Sequence, residues 1–343
     1  MSLSMISIYE LMKSFEFYED NINELSNTDF DIFISAFNNE EMVLNVFNKI
    51  KSEEKFWLVL PEYKFTTEET SELVNTYFFK EEYNSLIEIN CIKNMFEQFN
   101  IQDLKNKKVC IDVTGFIKPY MIFLIEYLHE FENMDKISII YSEPKKYEKK
   151  GNTPFSKNIL DVRTIRNFTD YSGQQRKNDL TIINVGYDHK LVDKVIGDKK
   201  PKNKKVLIGF PSLQPDMYQE NIVNLKQSMD LNEDLKEDEF IYASANNPYS
   251  TARNISNSVT KYLNNKSSTK IENISLIPLA TKAQTLGMIL FFIFEKEKYE
   301  EKDISLNFTY PFTERYSSSA GVGLSKVNLY EIEFDLISKI DIK

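Results

Sequence analysis

At 343 residues, 42% hydrophobic and 27% charged, the chain has material for one large α/β domain or two ordinary ones, and too little polarity for extensive disorder. Acidic residues (52) outnumber Lys and Arg (42), and the resulting net charge of −10 disfavours nonspecific binding to nucleic-acid backbones. The two cysteines, Cys91 and Cys110, and the two histidines, His129 and His189, lack metal-ligand spacing, so neither a metal nor a cofactor is expected, and reduced thiols suit a cytoplasmic location.

Short runs rich in Ile, Val and Phe alternate with segments of helical periodicity, the pattern of a mainly parallel sheet with flanking crossover helices. In chain order, strands are expected at 31–37 (DIFISAF), 55–60 (KFWLVL), 108–113 (KVCIDV), 136–141 (KISIIY), 180–185 (LTIINV), 205–210 (KVLIGF), 239–244 (EFIYAS) and 273–278 (NISLIP). The strands at 108–113, 136–141, 180–185 and 205–210 are expected to share one sheet. The segment ISLIPLATKAQTLGMILFFIF is interrupted by Pro278, Lys282 and Gln284, so it reads as strand, loop and buried helix, and no membrane span is expected. The residues after the start are too polar for a signal peptide. Near the C-terminus, ISLNFTYPF and KVNLYEIEF alternate in hydropathy around SSSAGVG and suit an antiparallel pair at a sheet edge. Charged stretches at 143–158 and 197–205 read as exposed connections. The first either separates α/β halves 1–150 and 151–343 or is a long loop inside one sheet, and one continuous architecture with two related halves is the preferred reading.

The stretch KKVCIDVTGFIKPYMIFLIEYL (107–128) breaks an apolar run at Thr114-Gly115 and then enters an amphipathic helix at Lys118-Pro119. In a parallel α/β sheet, ligands collect where strands end and helices begin. Gly115 permits a sharp turn or a close backbone approach, Thr114 offers a hydroxyl, and Lys118 adds a charge beside free helix amides that favour an anion. The same residues also make an ordinary cap, a turn and a solvated lysine. A second element of related design, with Thr281 and Lys282 leading into an apolar helix, suggests a weak internal repeat with paired sites.

The element DVTGFIKP resembles the Thr-Gly-Gly-Thr-Lys-Pro type signature of CARF domains, and LATKAQTLG is a looser match. The resemblance covers these two loops and the α/β pattern around them. It implies a Rossmann-like sheet and a sensor of nucleotide-like ligands in bacterial defence or signalling, in which Thr114, Gly115, Lys118, Thr281 and Lys282 meet the ligand. The chain departs from the signature at Phe116 and Ile117, where the family has glycine and threonine. With no nuclease signature attached, the effector would be a separate protein; a homodimer is among the assemblies open to the chain.

A third candidate, SANNPYSTARNISNSV (244–259), carries Asn247, Ser250, Thr251 and Arg253 at a strand-to-helix junction. They could bind a phosphate, ribose or base edge, or simply start the helix. Asp188 and His189 after the 180–185 strand, and Glu143 after the 136–141 strand, are the acid–base candidates if the protein is instead an enzyme acting on a nucleotide or sugar phosphate. No Walker A loop, dinucleotide fingerprint or zinc-protease motif occurs. A structural interaction module, in which every loop is only a cap, is the third reading.

Overall fold

A computed structural model describes residues 7–79, 86–147, 156–165, 179–186, 188–227, 235–265, 270–317 and 321–336. The chain begins with β1 (Lys13–Tyr18), β2 (Asp29–Ala36), α1 (Glu41–Lys49), β3 (Lys51–Val59), α2 (Thr67–Thr70), β4 (Thr76–Phe78), α3 (Ile87–Gln98), β5 (Val109–Asp112), α4 (Lys118–Glu130) and β6 (Lys136–Tyr147). It continues through β7 (Ser156–Thr164), β8 (Asp179–Val185), α5 (His189–Lys199), β9 (Asn203–Gly209), α6 (Met217–Gln227), β10 (Phe240–Ala243) and α7 (Pro248–Asn265). The remaining elements are β11 (Asn273–Pro278), α8 (Lys282–Glu300), β12 (Ser305–Tyr316) and β13 (Gly321–Glu333).

These elements form two compact units: Leu11–Asn158 with Thr313–Lys343, called here the first unit, and Met1–Glu10 with Ile159–Phe312, the second. Each is built on its own sheet. The first sheet has the order β1-β13-β6-β5-β2-β3-β4, and the second β10-β9-β8-β11-β12-β7. Strands 108–113 and 136–141 therefore lie in a different sheet from 180–185 and 205–210, which corrects the expectation of a single sheet. The reason is physical: apolar runs buried on both faces all look alike, so hydropathy marks a strand without naming its neighbour.

Within each sheet, five strands are parallel and wired in the same way. In the first, β2 pairs with β3 on one side and β5 on the other, β3 with β4, and β5 with β6. The second repeats this with β8, β9, β11, β10 and β12. Both are doubly wound, Rossmann-like sheets whose order reverses beside the first strand of the set, between β2 and β5 and between β8 and β11.

After the fifth strand, the chain changes sheet. The strand that follows β6, β7, lies beside β12, while the strand that follows β12, β13, lies between β6 and β1. Antiparallel pairing near the C-terminus is present, but with other partners than expected: β13 pairs antiparallel with β6 and β1, and β12 runs parallel to β11. Inserted this way, β13 is paired along its β6 edge and, over Lys326–Glu331, along its β1 edge, whereas a two-stranded hairpin would leave an edge open.

One face of the first sheet carries a core of Phe30, Phe33, Trp57, Cys110, Ile140, Val327 and Leu329 packed with Met42, Val43 and Val46 of α1. The Phe47 ring stacks on Trp57 at 3.7 Å between centroids. Helix α4 was expected to be amphipathic, yet it is buried from Lys118 through Glu126, because its sequence offers apolar residues around nearly the whole circumference. Helix α8 is similarly buried from Ala283 to Phe292. In the second sheet, a polar ladder replaces apolar packing at one level: Asn307 donates from Nδ2 to Asn273 Oδ1 at 2.6 Å, and Ser305 Oγ donates to the same oxygen at 3.1 Å. Shared bonding of this kind lets adjacent strands bury amides without leaving them unsatisfied. Among the described residues, no helix is long and apolar enough to cross a membrane.

Candidate functional site

The two related loops occupy equivalent places. Each leaves the fourth strand of its set, β5 or β11, and enters the following helix, α4 or α8, beside the order reversal. Their local chemistry differs.

In the first unit the loop is closed by its own hydrogen bonds. Ser35 and Asp112 are register partners on β2 and β5, and Ser35 Oγ donates to Asp112 Oδ2 at 3.4 Å. The other carboxylate oxygen accepts from the Thr114 amide at 2.9 Å, while Thr114 Oγ1 accepts from the Ser142 amide at 2.9 Å. Tyr63 donates its hydroxyl to the Gly115 carbonyl at 2.8 Å. Gly115 has no positive φ; a Cβ there would lie 2.0 Å from the Ala36 carbonyl oxygen, so glycine serves close approach and not a turn. Lys118 opens α4 and is only 8% exposed, not a solvated surface lysine.

Beside this loop lies a group that the sequence reading passed over. Glu62, in the 3-10 turn Pro61–Tyr63 after β3, accepts from the Tyr120 hydroxyl at 2.7 Å and is 9% exposed. Burial pushes its carboxyl up to about 7, against the pull of the Tyr120 hydrogen bond and Lys64, and with a further push from Glu88. Burial likewise raises the hydroxyls of Tyr63 and Tyr120. The Cys110 thiol is raised by burial and by Asp112, so it is an inert core group.

In the second unit, Thr281 caps α8: its Oγ1 accepts from the Gln284 amide at 3.1 Å and donates to the Ala245 carbonyl at 2.5 Å. Lys282 is the first residue of that helix and half-buried. Gln284 donates from Nε2 to the Ala243 carbonyl at 3.3 Å, but its buried Oε1 has no partner. On β8, Asn184 is fully buried with neither side-chain Oδ1 nor Nδ2 bonded. Its register partners are Leu207 and Pro278, which have no side-chain polar group to offer. Asn184 was hidden inside the apolar run LTIINV; Gln284 showed only as a polar interruption in an apolar segment.

Most of the remaining candidates have structural partners. Asn247 Oδ1 accepts from the Ser250 amide at 2.9 Å, and the Ser250 and Thr251 hydroxyls donate to the Asn247 carbonyl at 3.0 and 3.1 Å. Arg253 pairs with Glu10 at 2.7 Å on the surface. Asp188 caps α5 by accepting from the Leu191 amide at 3.4 Å, and His189 is that helix's first residue. Glu143 accepts from Asn328 Nδ2 at 2.8 Å and lies 3.5 Å from Lys326 Nζ. Thr114, Gly115, Lys118 and Glu143 belong to the first unit, and Asp188, His189, Asn247, Ser250, Thr251, Arg253, Thr281 and Lys282 to the second. Among the described residues, no group of three or more His, Cys, Asp or Glu is arranged to hold a metal ion.

Compared with known proteins, the chain matches no family model and no curated protein.

Proposed function

We propose that the protein binds a nucleotide-like anionic ligand and acts as a sensor, in a bacterial defence or signalling setting, for a separate effector chain. The supporting observation is positional. Both Thr- and Lys-bearing loops leave the strand beside the order reversal of a doubly wound sheet, the place where such sheets take ligands, and both lead into a helix N-terminus that favours an anion. The likeness of DVTGFIKP to the CARF signature supplies the sensor part of the reading.

Calorimetric titration of the full chain with AMP, ribose 5-phosphate and inorganic phosphate tests it. Lys282→Ala should weaken a phosphate-bearing ligand by roughly 10- to 100-fold, the loss of about 1.5–3 kcal/mol expected for one charge-assisted contact, with little change in the thermal midpoint. No binding by any probe, or affinity indifferent to Lys282, would defeat the proposal.

A second reading, turnover of the ligand, is favoured by Glu62, a buried carboxyl titrating near neutrality beside the α4 N-terminus. Mass spectrometry of the same probes after incubation should then reveal a product that Glu62→Gln fails to form. Persistence of every probe unchanged argues for the sensor.

A further inference from the structure

Ser142 Oγ and Glu62 Oε2, both buried beside the loop after β5, have no hydrogen-bond partner. The serine can turn its single donor toward whatever acceptor comes near, whereas the second oxygen of a carboxyl goes where the first is held. Glu62 Oε1 is held by the Tyr120 hydroxyl at 2.7 Å. Tyr120 is the third residue of α4, and helix side chains lean toward the N-terminus, so its hydroxyl reaches back to the helix start. The next residue of the same turn, Tyr63, donates to the Gly115 carbonyl just ahead of that helix. Glu62 is thereby fixed beside the α4 N-terminus, whose N-cap residue, Ile117, offers no side-chain acceptor to the amides of the first turn. The turn lies close to solvent, because Lys64, immediately after it, is exposed.

The surroundings decide what Oε2 can accept as a partner. The titratable and charged groups that act on Glu62 are Tyr63 and Lys64 on its own turn, Tyr120 on α4 and Glu88 on α3; Glu88 and Cys91 of α3 act in turn on Tyr120. Burial and Glu88 favour the uncharged acid, outweighing Tyr120 and Lys64. The positive end of the α4 dipole disfavours a cation at the same place. Since Oε1 already accepts from Tyr120, the proton of the neutral acid belongs on Oε2 and calls for an acceptor. An anionic oxygen at the helix start answers both groups: it accepts from Oε2 and from the amides of the first turn.

We propose that the α4 N-terminus binds an anionic group of the ligand together with the neutral carboxyl of Glu62, which donates a hydrogen bond from Oε2 to an oxygen of that group, so that binding requires a proton on Glu62. The proton stays on Glu62 and no bond to the ligand is made or broken. This deepens the ligand-binding reading above and rests on it, and it gives Glu62 a task that needs no turnover. The sign of the linkage follows. A bound anion raises the carboxyl further by like-charge repulsion, so affinity is full while Glu62 is protonated in the free protein and is lost as pH rises through its free-state value of about 7.

Calorimetric titration of the full chain with sulfate and with cyclic AMP tests this, because both probes keep their charge between about pH 6 and about pH 8.5. Affinity should hold steady up to about pH 7 and then fall roughly tenfold per pH unit, about 30-fold by about pH 8.5. Repeating the titration in two buffers of different ionisation enthalpy counts the protons taken up: about one per bound ligand at about pH 8.5 and almost none at about pH 6. In Glu62→Gln the side-chain amide is a permanent neutral donor, so affinity should lose its pH dependence and exceed that of the wild type by about tenfold or more at about pH 8.5. The same titrations of Lys282→Ala, in which the second loop is weakened, read the first loop by itself and should show the wild-type pH dependence. Wild-type affinity that stays level or rises across the range, binding without proton uptake, or a pH dependence that Glu62→Gln keeps would overturn the inference and leave ligand binding itself standing. Failure of both probes to bind at any pH in the range would remove the functional reading as well.

Discussion

Gly115→Ala should destabilise the protein by about 3 kcal/mol or more, the upper range for overpacking against a rigid wall. The added methyl would sit 2.0 Å from the Ala36 carbonyl oxygen and 3.0 Å from its carbon, and that carbonyl belongs to the C-terminal end of a central strand. A flexible side chain could swing aside; a strand backbone cannot without loosening the pairing of β2 with β3 and β5. Gly115→Val should be worse. Gly197 provides the control, for it lies inside α5 with nothing within 4 Å of an added Cβ. Gly197→Ala should stabilise by roughly 0.5–1 kcal/mol through helix propensity. Denaturant unfolding of both variants checks the pair, and equal tolerance of alanine at the two positions would mean that the loop after β5 yields easily.

Glu62→Gln should make the protein more stable in mildly alkaline solution and leave it nearly unchanged in acid. In the folded state the carboxyl titrates at about 7 instead of 4.5. The folded protein therefore holds a proton that the unfolded chain has released, and stability falls as pH rises from 4.5 to about 7. Above that window the charged, buried carboxylate costs roughly 3 kcal/mol, following about 1.4 kcal/mol per pH unit. Glutamine keeps an oxygen to accept from the Tyr120 hydroxyl and carries no charge to desolvate. Unfolding free energies of wild type and variant from denaturant titration at about pH 8.5 should differ by that amount and converge at about pH 4.5. Parallel curves at both pH values would show that Glu62 is ionised in the native state without penalty.

Much of the fold was legible because strand formation depends on local hydropathy. The segment NISLIP is β11 residue for residue, and DIFISAF, LTIINV and KVLIGF lie within a residue or two of β2, β8 and β9. Three strands were missed: β1 (KSFEFY), where charged residues alternate with aromatics; β4, only three residues long; and β7, whose first residues fall in the charged stretch read as a connection. Partner choice was not legible at all, since β12 and β13 are near neighbours in sequence yet join different sheets.

The sites follow the same division. The Thr281 cap could be read from a hydroxyl before an apolar helix. The burial of Lys118 could not, because a lysine at a helix start looks solvated until tertiary packing encloses it. Glu62 in LPEYK looked like an ordinary turn residue, and Asn184 like one polar letter in a strand; only the environments of these side chains set them apart.

The crossing of strands between sheets also dictates an order of assembly. A ribosome delivers β2 through β6 early, and these can pair as they emerge. Strand β6 then presents a bare hydrogen-bonding edge along Lys136–Tyr147 until Gly321–Glu333 has been made, and β1, synthesised before all of them, has no partner in its sheet until that same segment arrives. The sheet of the first unit is thus begun first and finished last, after the parallel strands of the second have been translated. Such long-range pairing slows folding and leaves a strand edge open to other chains in the interval. The nascent protein therefore passes through a stage in which its longest antiparallel pairing is half-made, and chaperones or rapid elongation would matter most during that stage.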